Sequence, residues 1–127
     1  ERKEVLLPGS QDENLLQMHI FPCENGDEFP KNQYTKWFDY DKIKGTLSLR
    51  HRQPGDYLTL PSGGRKTLKS WMIDEKIPRQ EREQIWLLAE EKHILWIVGH
   101  RISAYYKITE QTKTILEVEF NGGKSSG

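Results

Sequence analysis

The longest uncharged apolar run in the sequence is Ile94–Gly99. It is far shorter than the ~20 residues that cross a bilayer as a helix. The chain must therefore assemble its core from many brief apolar segments, each closed by charge, proline or glycine.

Several of these segments alternate. In KTILEVEF (113–120), Ile115, Glu117 and Glu119 share one side, and Leu116, Val118 and Phe120 share the other. That is the pattern of a half-buried strand. LLQMHIF (15–21) sets Leu16, Met18 and Ile20 on one side. GTLSLRHR (45–52), YLTL (57–60), IWLLA (85–89), HILWIV (93–98) and RISAYYKI (101–108) read as further strands. QPGD (53–56) is a turn, and the charged residues after Ala89 make a hairpin. TKWFDYDKI (35–43) predicts a strand and then a helical turn capped by Asp39 or Asp41.

Only the middle of the chain carries a helical period. Leu68, Trp71 and Met72 predict a helix over about 66–75. It ends before Pro78, because the residue preceding a proline avoids helical dihedrals. Pro78 suits the first turn of a second short helix over 78–84. The expected class is mainly β, about seven strands with short helices inserted (α+β). The expected division is 1–44 as an inter-domain segment or domain edge, 45–120 as the domain, and 121–127 as a flexible tail. With no initiator Met and no visible secretory leader, the chain reads as a piece of a longer protein. A single cysteine, Cys23, permits no internal disulfide and points to a reducing cytoplasm.

Lysines and arginines equal acids overall, 19 against 19, but not locally. Residues 50–82 hold eight Lys/Arg against four Asp/Glu, a net of +4 by difference. The basic island comprises Arg50, Arg52, Arg65, Lys66, Lys69, Lys76, Arg79 and Arg82. Arginine forks grip phosphate at two points, so such an island is a footprint for nucleic acid. Asp56 is placed to pair with Arg50 or Arg52, leaving the other guanidinium for phosphate. Asp74 is placed to pair with Arg82. Gly63 and Gly64 would bare backbone N–H groups at a helix start, with Arg65, Lys66 and Lys69 around it.

Other chemistry finds little support. The four histidines stand far apart and Cys23 has no cysteine partner, so no metal site is expected. Cys23 lies among acids, which oppose a reactive thiolate. SGGRKT (62–67) is neither a Walker loop nor the Ser-Gly-Gly-x-Asp-Ser loop of ATP pyrophosphatases. No nucleophile and base are clustered, so no catalytic residue is assigned. Trp71, Trp86 and Trp96 lie on apolar periods and are expected in the core.

Several motifs follow in order: Arg50, Arg52, Gly55 and Asp56; Gly63 and Gly64; Leu68 and Lys69; Asp74, Lys76, Ile77, Pro78 and Arg82; Ile94, Leu95 and Trp96; Gly99, Arg101 and Ile102. Over roughly 47–120 the chain resembles the C-terminal domain of bacterial tRNA(Ile)-lysidine synthetases. Two positions depart from the family pattern. Tyr57 stands where a basic residue is common, and Leu87 where proline is frequent.

The resemblance implies a β-sandwich of unusual topology with flanking helices, similar to a domain of the phenylalanyl-tRNA synthetase β chain. It implies a parent ligase that uses ATP (with Mg) and free lysine to convert the wobble cytidine of tRNA(Ile) to lysidine. That chemistry would belong to an N-terminal PP-loop domain of the same chain, in the cytoplasm and not at a membrane. The C-terminal domain would grip the tRNA acceptor stem through the eight cations named above, and whether the parent is a homodimer is left open. The alternative is an interaction module that contacts another domain or a dimer partner without binding nucleic acid.

Overall fold

The computed structural model describes residues 3–5, 15–24 and 28–121. Among them the chain forms strands β1 (Lys3–Val5), β2 (Leu16–Pro22), β3 (Thr35–Asp39), β4 (Leu47–Arg50), β5 (Tyr57–Thr59) and β6 (Arg65–Thr67). Helices α1 (Leu68–Asp74) and α2 (Arg79–Arg82) follow. Strands β7 (Leu87–Glu90), β8 (His93–Ile97), β9 (Arg101–Ile102) and β10 (Thr114–Phe120) complete the order. Single 3₁₀ turns occupy Tyr40–Lys42 and Ala104–Tyr106. The chain divides into two compact units, Gly45–Tyr105 and the remainder.

In the discontinuous unit, four antiparallel strands run in the order β1-β2-β10-β3. Alternation in β10 places Leu116 beside Phe38 and Val118 beside Met18, all four buried. Asp39 is the residue that caps the Tyr40–Lys42 turn, accepting from the Asp41 N–H at 3.0 Å. Its other oxygen accepts from the Thr112 hydroxyl at 2.9 Å, which satisfies a buried carboxylate. The ladder partners of the strand read at 113–120 are therefore residues upstream of Gly45. Most of the tail expected at 121–127 lies outside the described residues.

In the unit Gly45–Tyr105, six strands form one sheet in the order β4-β7-β8-β5-β6, with β9 also on β8. Leu58, Leu87, Ala89, Ile94 and Ile97 pack with Leu68, Trp71 and Met72 of α1 and with Ile77. α1 thus covers one face of this sheet.

The glycine loop differs from its reading as a phosphate cradle. Gly63 N–H donates to the Leu60 carbonyl and Leu60 N–H to the Gly64 carbonyl, both at 2.8 Å. Gly63 has φ +96°, a conformation that glycine adopts without steric cost. The loop is a hairpin turn, and the Gly63 N–H serves the turn. Residues 65–67 then pair with β5, so the helix begins at Leu68 and not at 66. Thr67 caps it, accepting from Ser70 N–H at 3.1 Å. A three-residue edge strand carries no periodicity of its own, which is why the helical pattern extends over it. The strand expected over 101–108 is shorter: Ser103 N–H still reaches the Leu95 carbonyl at 2.8 Å, and the 3₁₀ turn at Ala104–Tyr106 then takes the chain out of the ladder.

The Asp-x-Lys-Ile-Pro stretch is a helix stop and restart. Lys76 adopts φ 57°, and Ile77 N–H reaches back to the Met72 carbonyl at 3.0 Å. This is the Schellman closure, with buried Ile77 as its apolar anchor. A left-handed conformation costs a non-glycine residue roughly 1–2 kcal/mol. A glycine would escape that cost, but part of the gain is offset by the freedom it loses on folding. Lys76→Gly is therefore expected to raise the unfolding free energy by about 0.5–1 kcal/mol in urea melts.

Candidate nucleic-acid interface

The eight cations of the basic island do not share one environment. Arg50 is committed to the fold. Its two terminal nitrogens each donate to one oxygen of Asp56 at 2.9 Å, and further to the carbonyls of His51 and Glu91. Asp56 is 3% exposed and also accepts from Gln53 N–H at 2.8 Å. Gly55, with φ +89°, makes the turn that brings this carboxylate under the arginine. The expected pairing of Asp56 with one of the two arginines is thus what forms.

The expected free partner is not free. Arg52 lies beyond the end of β4 and bonds Glu83 at 2.6 Å. Asp74 pairs with Lys66, not with Arg82 as the sequence suggested. The physical reason is strand alternation. Lys66 stands opposite Leu58, on the face that α1 covers, within reach of the end of that helix. Arg82 Nε instead donates to the Ile77 carbonyl at 2.8 Å, tying α2 to the preceding turn.

Arg65 stands opposite Thr59, on the other face from Lys66. Its guanidinium sits 4.4 Å from the Tyr57 ring centroid. The two residues do not gather at the helix start as expected. Trp71 and Trp96 are buried, but Trp86 is only half-buried, stacked on His51 at 4.0 Å.

Lys69, Lys76 and Arg79 remain. All three are exposed, and none bonds a carboxylate among the described residues. Lys69 lies in the first turn of α1, Lys76 lies two residues past its end, and Arg79 opens α2. Beside Lys69, a cavity of about 600 Å³ opens between the Gln53–Asp56 turn, the start of α1 and the Arg52–Glu83 pair. These side chains can attract a polyanion. They offer no nucleophile with a base, and the described residues contain no group of three or more His, Cys, Asp or Glu that could hold a metal ion.

The opposite face carries a row that sequence reasoning missed. Tyr57 stacks on His93 at 4.6 Å, and His93 meets Tyr105 at 5.1 Å. The Thr59 hydroxyl lies 2.9 Å from His93 Nε2. A signal was present, since alternation puts Tyr57 and Thr59 opposite buried Leu58. Burial, and then the nearby Arg65 charge, hold the His93 pKa below the usual imidazole range, against a smaller pull from Glu90. The unfolded chain then binds the proton first as pH falls below about 6.5. His93 thus withdraws stability as pH falls through that value and has no effect well above it. His93→Gln is expected to flatten the loss of stability between about pH 7.5 and 5.5 seen in thermal melts.

A model of the family described as "TilS substrate C-terminal domain" matches residues 47–119. The chain belongs to this family. The TilS C-terminal match covers β4 through most of β10. The tRNA(Ile)-lysidine synthase of Caldanaerobacter subterraneus subsp. tengcongensis is 46% identical over 123 residues, 93% of this chain and 26% of the relative. That of Clostridium tetani is 41% identical over 130 residues, 99% of this chain and 28% of the relative. The chain therefore spans about a quarter of the length of these relatives. A solved structure described as "Crystal structure of TILS C-terminal domain" superposes with a TM-score of 0.61 at 26% identity. It covers 97% of this chain and 92% of its own. The mostly β architecture with few short helices agrees with that TilS structure. Among the described residues no helix is long and apolar enough to cross a membrane.

Proposed function

We propose that the chain is the tRNA-gripping C-terminal part of a tRNA(Ile)-lysidine synthase. Its parent would convert the wobble cytidine of tRNA(Ile) to lysidine with ATP, Mg and free lysine, in the cytoplasm. Adenylation and lysine transfer would belong to an N-terminal PP-loop domain, because residues 62–67 form a hairpin here and carry no Ser-Gly-Gly-x-Asp-Ser pattern. This chain's share is to hold the acceptor stem by its backbone. A-form RNA presents phosphates and 2′-hydroxyls more readily than base edges, so cations suffice for that task. The β-sandwich arrangement, the kinship with a phenylalanyl-tRNA synthetase β-chain domain, and the boundary of the RNA-binding domain at 45–120 belong to the same proposal.

The observation that carries it is the segregation within the basic island. Arg50, Arg52 and Lys66 pair with carboxylates, while among the described residues Lys69, Lys76 and Arg79 stand exposed without one. The first group shapes the surface and the second meets phosphate, with Arg65 at the edge strand β6. The locked arginines favour the second reading, in which the island serves contact with another domain or a dimer partner. The two readings separate on tRNA(Ile) binding by this chain at about 50 and 200 mM salt. Affinity that falls steeply with salt supports the grip. Absent or salt-independent binding rejects it.

A further inference from the structure

Side chains from four separate segments form one row on the face of the second unit's sheet that α1 does not cover. Arg65 (β6) lies over the Tyr57 ring (β5). Tyr57 stacks on His93 (β8) with planes 24° apart. His93 meets Tyr105 of the Ala104–Tyr106 turn at 5.1 Å and 38°. The row starts at an exposed guanidinium and ends at a ring that is 43% exposed.

The row has the two features an unpaired nucleotide requires. Aromatic faces accept any base by stacking, worth about 1–3 kcal/mol per base. Arg65, at the other end of the row, supplies a charge complementary to a phosphate further along the same strand. Burial and the Arg65 charge disfavour the protonated form of His93, so the ring acts in the row by its aromatic face.

We infer that Tyr57, His93, Tyr105 and Arg65 form a stacking platform for an unpaired nucleotide of the bound RNA, with Tyr105 as the terminal stacking ring. This rests on the RNA-binding reading above and adds a second, single-stranded contact to it. Because β6 is the edge strand of its sheet, a single-stranded end can pass from the α1 side to this face around that edge.

The test uses two RNA hairpins with the same stem, one blunt and one with a four-nucleotide 3′ tail that carries 2-aminopurine. The 127-residue chain is expected to bind the tailed RNA about tenfold more tightly and to quench the 2-aminopurine. Tyr105→Ala should abolish both the tenfold preference and the quenching while leaving blunt-RNA affinity within about twofold. Tyr105→Phe should retain both, which separates loss of the ring from loss of the hydroxyl. Equal affinity for tailed and blunt RNA, or quenching that survives Tyr105→Ala, overturns the platform and leaves the duplex grip standing. If neither RNA binds, the RNA reading fails and the platform fails with it.

Discussion

Asp56→Ala is expected to lower the unfolding free energy of the chain by about 3–5 kcal/mol, the usual cost of removing one partner from a buried ion pair. Asp56 satisfies both terminal nitrogens of Arg50 and the Gln53 N–H, and its carboxylate is almost wholly enclosed. Without it, Arg50 keeps its charge in a site that is only 15% exposed, held by the His51 and Glu91 carbonyls alone. A domain of this size has only about 5–15 kcal/mol in total. The loss should appear as a large drop in the urea midpoint followed by tryptophan fluorescence. The double variant Arg50→Met/Asp56→Ala should lose less than Asp56→Ala, because no charge is then left unpaired. An equal or greater loss in the double variant would mean that the turn itself needs the arginine. Arg52→Ala supplies the contrast. Its Glu83 partner is 62% exposed, and exposed pairs contribute only about 0.2–1 kcal/mol.

The second large effect concerns RNA. Replacing Lys69, Lys76 and Arg79 together by Glu should reduce affinity for tRNA(Ile) on the order of a hundredfold at low salt. It should also make the salt slope shallower by about 2–3 units, roughly 0.9 for each phosphate that is no longer neutralised. The three side chains are exposed and anchor nothing in the core, so the urea midpoint should hardly move. An unchanged salt slope would show that these cations face solvent in the complex and that the grip lies elsewhere.

Local patterns were legible in the sequence where one residue's neighbours decide its fate. The β10 alternation, the Asp39 cap, the QPGD turn and the Arg50–Asp56 pair all involve residues close in the chain. The errors share a different cause. Whether Asp74 meets Lys66 or Arg82 depends on how β6 lies against α1. The fate of Arg52 depends on Glu83, which reaches it across 31 residues of chain. Gly63 and Gly64 suit a hairpin and a phosphate loop equally well until the pairing of β5 with β6 is known. The Tyr57–His93–Tyr105 row is least legible of all, since it joins strands that touch in parallel at a single register position. The motif order that marks the family is visible because it is linear. Its physical content, a helix stop at Lys76 and a carboxylate under Arg50, emerges only from the fold.

The placement of β10 bears on how the polypeptide matures. β2 and β3 are synthesised early, yet β10 lies between them, and every residue of Gly45–Tyr105 emerges from the ribosome in the interval. The later-made unit can thus complete its own sheet while the earlier one still lacks its central strand. A nascent chain halted before Thr114 would leave one edge of Leu16–Pro22 and the strand Thr35–Asp39 without their ladder partner, open to association with other chains.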